Sequence, residues 1–203
     1  MPSNNVSLYT IMTGSSVLPV SIHKGELFFL FGKENELEKS AKGFSDFGGG
    51  TEPGESVWDA AMREGSEEMT GFLGDKDALE KLIKTNGGVF KTQLNNYHVH
   101  IFFIEFDPNL PKYYNANHHF LWERMDKQLL SRTKLFEKEQ VQWFSIPMME
   151  DKIKEFRKFY QEVVLHIISQ KQAITAFIIN RKKKVHNKTR KRLRSSLSRI
   201  AKK

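Results

Sequence analysis

Residues 49–72 read Gly-Gly-Thr-Glu-Pro-Gly-Glu-Ser-Val-Trp-Asp-Ala-Ala-Met-Arg-Glu-Gly-Ser-Glu-Glu-Met-Thr-Gly-Phe, a glycine-rich loop that runs into a helix. At about 100° per residue, Glu64, Glu67 and Glu68 stand at i, i+3 and i+4, so their carboxylates project from one arc of that helix. Carboxylates so placed repel one another. A hard divalent cation relieves the repulsion, since Mg2+ prefers oxygen ligands and is commonly shared between a few carboxylates and substrate phosphates. Arg63 stands about −100° from Glu64, off this arc, where it is expected to form a structural ion pair with Glu55 and orient the helix against the loop.

The start of the helix is equally legible. Ser56 and Asp59 have the spacing of a capping box, with aspartate in place of the usual Glu or Gln, and this puts the first helical residue at Val57. The unpaired amides of the first turn then face the loop 47–54. There Gly48, Gly49, Gly50 and Gly54 permit positive φ and close approach of backbone to a phosphate or a metal.

The spacing Gly49, five residues, Glu55, seven residues, Arg63-Glu64, two residues, Glu67-Glu68 resembles the signature of the Nudix hydrolases. At about 7 % usage per letter, six letters in register arise by chance roughly once in ten million start positions. Two departures stand out. Gly65 occupies a position that is usually aliphatic in the family, on the stripe Trp58, Met62, Gly65, Met69 facing away from the glutamates; a glycine there admits close approach by a neighbouring element, with Trp58 supplying volume. Glu68 is followed by Met69 and Thr70 before Gly71-Phe72, one residue more than the family pattern, which is expected to lengthen the helix by one position before Gly71 caps it in the left-handed conformation.

The resemblance implies an α/β/α sandwich around a mixed β-sheet, and hydrolysis of a diphosphate linkage with Mg2+ or Mn2+ as cofactor, typically in a nucleoside diphosphate derivative. It implies Glu64, Glu67 and Glu68 as metal ligands, with a backbone carbonyl at Gly48 or Gly49 as a further donor. The general base is left among Glu67, the first choice, and Glu137 or Glu139, which precede Trp143.

With 203 residues, 39 % hydrophobic and 12 % aromatic, the chain can bury one core, so a single catalytic domain over residues 1–180 is expected. No run approaches the roughly 18 apolar residues of a membrane span. Met1–Ser7 lacks the basic and apolar regions of a secretory leader, which points to an intracellular, cytoplasmic protein. The absence of cysteine excludes disulfides and thiolate metal sites.

The net charge of +8 is unevenly spread: residues 181–203 hold 12 Lys or Arg and no Asp or Glu, leaving 20 basic against 24 acidic residues over 1–180. A basic tail of this kind neutralises phosphates of RNA or serves as a nuclear import signal at Arg181–Lys184 or Arg190–Arg192, unless it is simply a solvated extension. Leu193, Leu197 and Ile200 fall at helical spacing, which suits an amphipathic basic helix on an anionic surface.

Elsewhere, strands are expected at Val6–Gly14, Ser16–Ile22, Glu26–Gly32, Val89–Thr92, Tyr97–Phe106 and Val141–Ile146, with a turn at Asn95-Asn96 and a charged loop at Lys33–Gly43. A short helix is expected at Lys76–Lys84, ending at Asn86-Gly87-Gly88. Alternation puts His98 and His100 on one face of their strand, read as a solvated face rather than a metal pair. The insertion 107–137 carries Tyr113, Tyr114, His118, His119, Phe120 and Trp122, either packing residues or a stacking surface for a nucleobase. Apolar residues from Ile153 to Ile178 recur every three or four positions, giving one long C-terminal helix from Met148 to about Ile179 that packs on the sheet or forms a dimer interface.

Three functions follow as alternatives: a pyrophosphatase of small nucleotides or nucleotide sugars, an enzyme removing the 5′ cap of RNA with the tail holding the RNA body, or an inactive RNA-binding scaffold.

Overall fold

The computed structural model describes residues 13–37, 42–133 and 136–181. Most of the expected strand Val6–Gly14, and the tail beyond Arg181, lie outside them. A seven-stranded mixed sheet is formed by β1 (Gly14–His23), β2 (Glu26–Glu34), β3 (Phe44–Ser45), β4 (Phe47–Gly50), β5 (Val89–Leu94), β6 (Tyr97–Phe103) and β7 (Lys138–Ser145). The helices are α1 (Val57–Glu68), α2 (Lys76–Thr85), α3 (Leu110–Trp122), α4 (Lys127–Thr133), α5 (Ile146–Asp151), α6 (Tyr160–Ser169) and α7 (Lys171–Arg181).

β1 organises the sheet. Lys24 and Gly25, both at positive φ (49° and 86°), make the two-residue turn that folds β2 back on its second half, as a tight hairpin requires. Its first half pairs antiparallel with β4, Ser15 opposite Gly49 and Ser16 opposite Gly48. On its other edge it runs parallel to β6, Gly14 opposite Tyr97. β7 lies along β2, and β5 completes the hairpin with β6 through Asn95 (φ 52°).

Alternate residues of these strands feed two cores, which makes the expected sandwich. Leu18, Phe29, Phe31, Phe103 and Phe144 pack with Tyr160, Val164, Ile167 and Ile174 from α6 and α7. On the opposite face, Val17, Leu30, Phe47 and Phe102 pack with Met62 and Leu79 from α1 and α2 and with Met69 just past the end of α1. Gly65 belongs to this second layer: a Cβ there would overlap Val17 Cγ2, so it is Val17, not Trp58, that fills the space the glycine leaves.

The single long C-terminal helix is not what forms. The segment splits into α5, a 3₁₀ turn at Ile153–Glu155, α6 and α7, the last two bent by 65° at Gln170. The physical reason lies at Phe156, which is extended (φ −80°, ψ 152°) and bridges Phe44 in parallel, while the Arg157 amide donates to the Phe44 carbonyl at 3.0 Å. Gly43 (φ 115°) permits the approach, since a Cβ there would meet the Glu155–Arg157 backbone. Ile153, Phe156 and Tyr160 all face one core, so the apolar period continues where the helix does not. No single helix is long and apolar enough to cross a membrane among the described residues, and the bent pair α6–α7 buries its apolar side in the core.

The Arg181 guanidinium, on the last described residue of α7, lies 4.0 Å from the Phe103 ring centroid.

Candidate active site

α1 begins where its sequence places it. Ser56 Oγ accepts the Asp59 amide at 3.1 Å and donates to the Asp59 carboxylate at 2.6 Å, a reciprocal cap. The far end differs from expectation. The helix stops at Glu68, and Thr70 itself takes the left-handed conformation (φ 53°), followed by Gly71 (φ 69°). The Gly71 amide donates to Ser66 O and the Thr70 amide to Glu67 O, so the extra residue closes a Schellman turn instead of lengthening the helix.

Arg63 forms the expected pair with Glu55 and does more. Its Nε and Nη2 donate to both Glu55 oxygens at 3.0 and 2.9 Å, Nη2 also reaches the Gly50 carbonyl at 3.1 Å, and Nη1 donates to Glu64 at 2.7 Å. The same Nη1 is 3.8 Å from Glu67. These partners hold the guanidinium pKa above its already high ordinary value, the Glu55 hydrogen bonds most of all. Arg63 therefore bends back onto the glutamate arc that helical geometry had placed it off, and it ties three parts together: loop, glycine strand and helix.

The three glutamates have three environments. The Glu64 carboxylate is seated on the glycine strand, where a Cβ at Gly49 would stand 2.6 Å from Glu64 Cδ. Glu67 is the open one, its side chain 62 % exposed. Glu68 is buried, accepting the Gly48 amide at 2.7 Å and lying 3.3 Å from Lys138 Nζ. Burial pushes its pKa up to about 8; the Glu34 and Glu137 carboxylates add to this, and Lys138 and the Gly48 amide oppose it.

Lys138 is the centre of a network the sequence did not announce. It donates to Glu34 and, at 3.0 Å, to Ser45 Oγ, and Glu34 also accepts from Arg157 Nη1 at 2.9 Å. Gly32 makes room for it, for a Cβ there would stand 2.7 Å from Lys138 Cγ. The available signal was cross-strand: Glu34 lies directly opposite Lys138.

The NUDIX domain family model matches residues 13–166, about three quarters of the chain. The chain belongs to the Nudix family. No curated protein sequence matches it. Two solved structures of a C. elegans Ap4A hydrolase are similar: a binary complex at 17 % identity and TM-score 0.44, covering 82 % of this chain and 98 % of that one, and a second structure at 14 % and 0.41, covering 80 % and 96 %.

Nudix hydrolases generally use divalent ions such as Mg2+, and their substrates are nucleoside diphosphate derivatives. The donors here have the right chemistry: hard carboxylate oxygens, two of them sharing one guanidinium nitrogen, beside a glycine backbone held close to Glu64. Among the described residues no group of three or more His, Asp or Glu side chains is gathered closely enough to hold an ion as it stands. Arg63 and Lys138 supply the positive charge that the glutamates face.

The remaining candidates of this Nudix domain separate. Glu139 pairs with Lys33 at 2.7 Å and lines a hollow with His118, Trp122 and Glu123, none of them from α1 or β4. Glu137 is the nearer in effect, since its charge acts on Glu68. His100 corrects the solvated-face expectation: it is buried, its Nδ1 donating to Ser16 O at 3.0 Å and its ring meeting Trp58 edge-on at 5.3 Å. β6 is a central strand covered on both faces, and burial lowers the imidazole pKa. In the insertion, Tyr114 packs on Phe72 and donates to Lys138 O at 3.0 Å, and His118 stacks on Trp122, while Tyr113 and Phe120 are exposed.

Proposed function

We propose that the protein hydrolyses a diphosphate linkage in a nucleoside diphosphate derivative, with Glu64, Glu67 and Glu68 holding one or more Mg2+ or Mn2+ ions and the Gly48–Gly49 backbone adding oxygen. The observation that supports this best is the seat of Glu64. Its carboxylate rests on Gly49 and shares Arg63 Nη1 with Glu67, so two of the three glutamates are held beside the glycine strand. A bound ion would neutralise charge on the diphosphate and lower the pKa of the attacking water.

The chain's own residues do the rest. Arg63 holds Glu64 to the strand by also bonding Gly50 O and Glu55. Glu67, the most exposed of the three, takes the proton from water as general base. Glu137 is the alternative base, ahead of Glu139, which Lys33 draws away. Glu67→Gln and Glu68→Gln are each expected to abolish Mg2+-dependent hydrolysis across a nucleotide panel while the circular dichroism spectrum stays native. Full turnover by both variants refutes the assignment.

Capped RNA is the second substrate reading, favoured by the 12 Lys and Arg of residues 181–203. Replacing the basic residues after Arg181 by Gln in the full chain separates the cases. Salt-sensitive loss of capped-RNA cleavage with free nucleotides spared supports cap removal. Unchanged nucleotide turnover with no RNA cleavage leaves the tail as an address or a solubility device, and no turnover of anything favours a scaffold.

A further inference from the structure

A cleft of about 1130 Å³ opens beside the glycine strand, and one of its walls takes no part in the hydrolytic scheme. Gly48, Gly49 and Gly50 form one side; Lys42, Arg157, Lys158 and Phe159 form the other. The glutamates approach from behind the strand, through Glu64 against Gly49. Three cations line the cleft against one acid, Glu162, although residues 1–180 carry more acidic than basic side chains. A positive concavity in an acidic domain attracts anions.

Phe159 is the second unusual feature, a phenyl ring 53 % exposed at the mouth of a cleft. It is held rather than loose: Tyr97 and Tyr160 meet it edge-on at 5.9 and 6.0 Å, and the Arg157 guanidinium lies 4.9 Å from its centroid. Tyr97 is itself fixed, donating to the buried Asp46 at 2.6 Å. Arg157 is anchored through Nη1 to Glu34, and its buried Nε has no hydrogen-bond partner. An anchored aromatic ring beside the three cations of the cleft suits a ligand that is flat at one end and polyanionic along its length.

We propose that this wall binds a free nucleoside polyphosphate, with the base stacked on Phe159 and the phosphates running past Arg157, Lys158 and Lys42 toward Gly48–Gly50; the direction of the phosphates rests on the hydrolase reading above. Stacking on a phenyl ring uses the π-face that every base has, so the cleft distinguishes nucleotides from base-free phosphates more sharply than one base from another.

Calorimetric titration of the full chain carrying Glu67→Gln, in Mg2+, with ATP and with inorganic tripolyphosphate, tests this. Adding Phe159→Ala is expected to weaken ATP binding about tenfold and leave tripolyphosphate unchanged. Lys42→Ala with Lys158→Ala is expected to weaken both ligands. Phe159→Trp is expected to keep ATP affinity, which separates loss of stacking from a folding lesion. Unchanged ATP affinity in Phe159→Ala, or equal loss for both ligands, overturns the proposal. If the native chain turns over no nucleotide yet binds ATP in a Phe159-dependent way, the hydrolase reading falls and the wall stands; if it turns nucleotides over and Phe159→Ala leaves KM unchanged, the wall falls alone.

Discussion

The ammonium of Lys138 lies 3.3 Å from a carboxylate oxygen of Glu68, and both side chains are withdrawn from solvent, 0 % and 6 % exposed. Glu68 thus faces two ways: its backbone continues the row of site glutamates, and its carboxylate belongs to a buried ionic network with Glu34 and Arg157. The network fixes the end of α1 to β7 and β2 through charge rather than apolar contact.

Removing the central cation should be costly. Lys138→Met leaves Glu34 and Glu68 buried without it, and breaking a buried pair by deleting one partner costs about 3–5 kcal/mol. Urea unfolding at neutral pH is expected to show that loss.

Stability should also depend on pH through Glu68. Its folded pKa is raised from 4.5 to about 8, so the folded chain binds the proton more tightly than the unfolded one. The contribution is fully present below about 4.5 and is lost as pH rises through about 8. Without divalent ions, the thermal midpoint of the native chain is expected to fall over that window more than that of Glu68→Gln. Parallel profiles for the two proteins would contradict it.

Arg63 should matter more for rate than for stability. Its ion pairs are partly solvated, so Arg63→Gln is expected to cost only about 1 kcal/mol. Loss of the tether to Gly50 and Glu64 misplaces the glutamate against the glycine strand, and a displacement of this kind costs roughly a hundredfold in turnover. Steady-state kinetics on the nucleotide panel, with hydrogen exchange at Gly50–Glu55, would report both effects.

Gly65→Ala tests the tight contact between α1 and β1. Alanine favours a helix interior by about 1 kcal/mol, yet here its methyl would overlap Val17 Cγ2. Overpacking of this kind costs about 1–3 kcal/mol, so net destabilisation is expected in a denaturant midpoint. Val17→Ala in the same chain should restore the loss; a stabilised single variant would show that the layers can move apart.

What could be read from the sequence was local. Ser56 and Asp59 announced the first turn of α1, and Asn95-Asn96 the β5–β6 hairpin, because caps and turns are made by residues adjacent in the chain. The Arg63–Glu55 pair was within reach of the same kind of reading, since it joins α1 to the loop directly before it, although Arg63 also turns onto the glutamate arc that helix geometry alone puts it off. What was hidden depended on partners distant in sequence. His100 alternates as a solvated residue does, and only the arrival of Trp58 over β6 buries it. Lys138 resembles any charged residue before a strand until Glu34 and Glu68 close around it. The break at Phe156 is invisible to periodicity because its cause, the edge of β3 at Phe44, lies in another part of the chain.

The parallel pairing of β1 with β6 has a kinetic consequence. The β1–β2 and β5–β6 hairpins can close early, since each joins neighbouring segments. Gly14 meets Tyr97 only after the whole chain between them has looped round, and such distant closures are slow. Ser15 and Ser16, which lie beneath Gly49 and Gly48, sit on the strand that waits for this event. In stopped-flow refolding, the capacity to bind a divalent ion is therefore expected to arrive with the slowest phase that is not proline isomerisation. The chain would spend its early folding time with hairpins formed and its chemistry still unassembled.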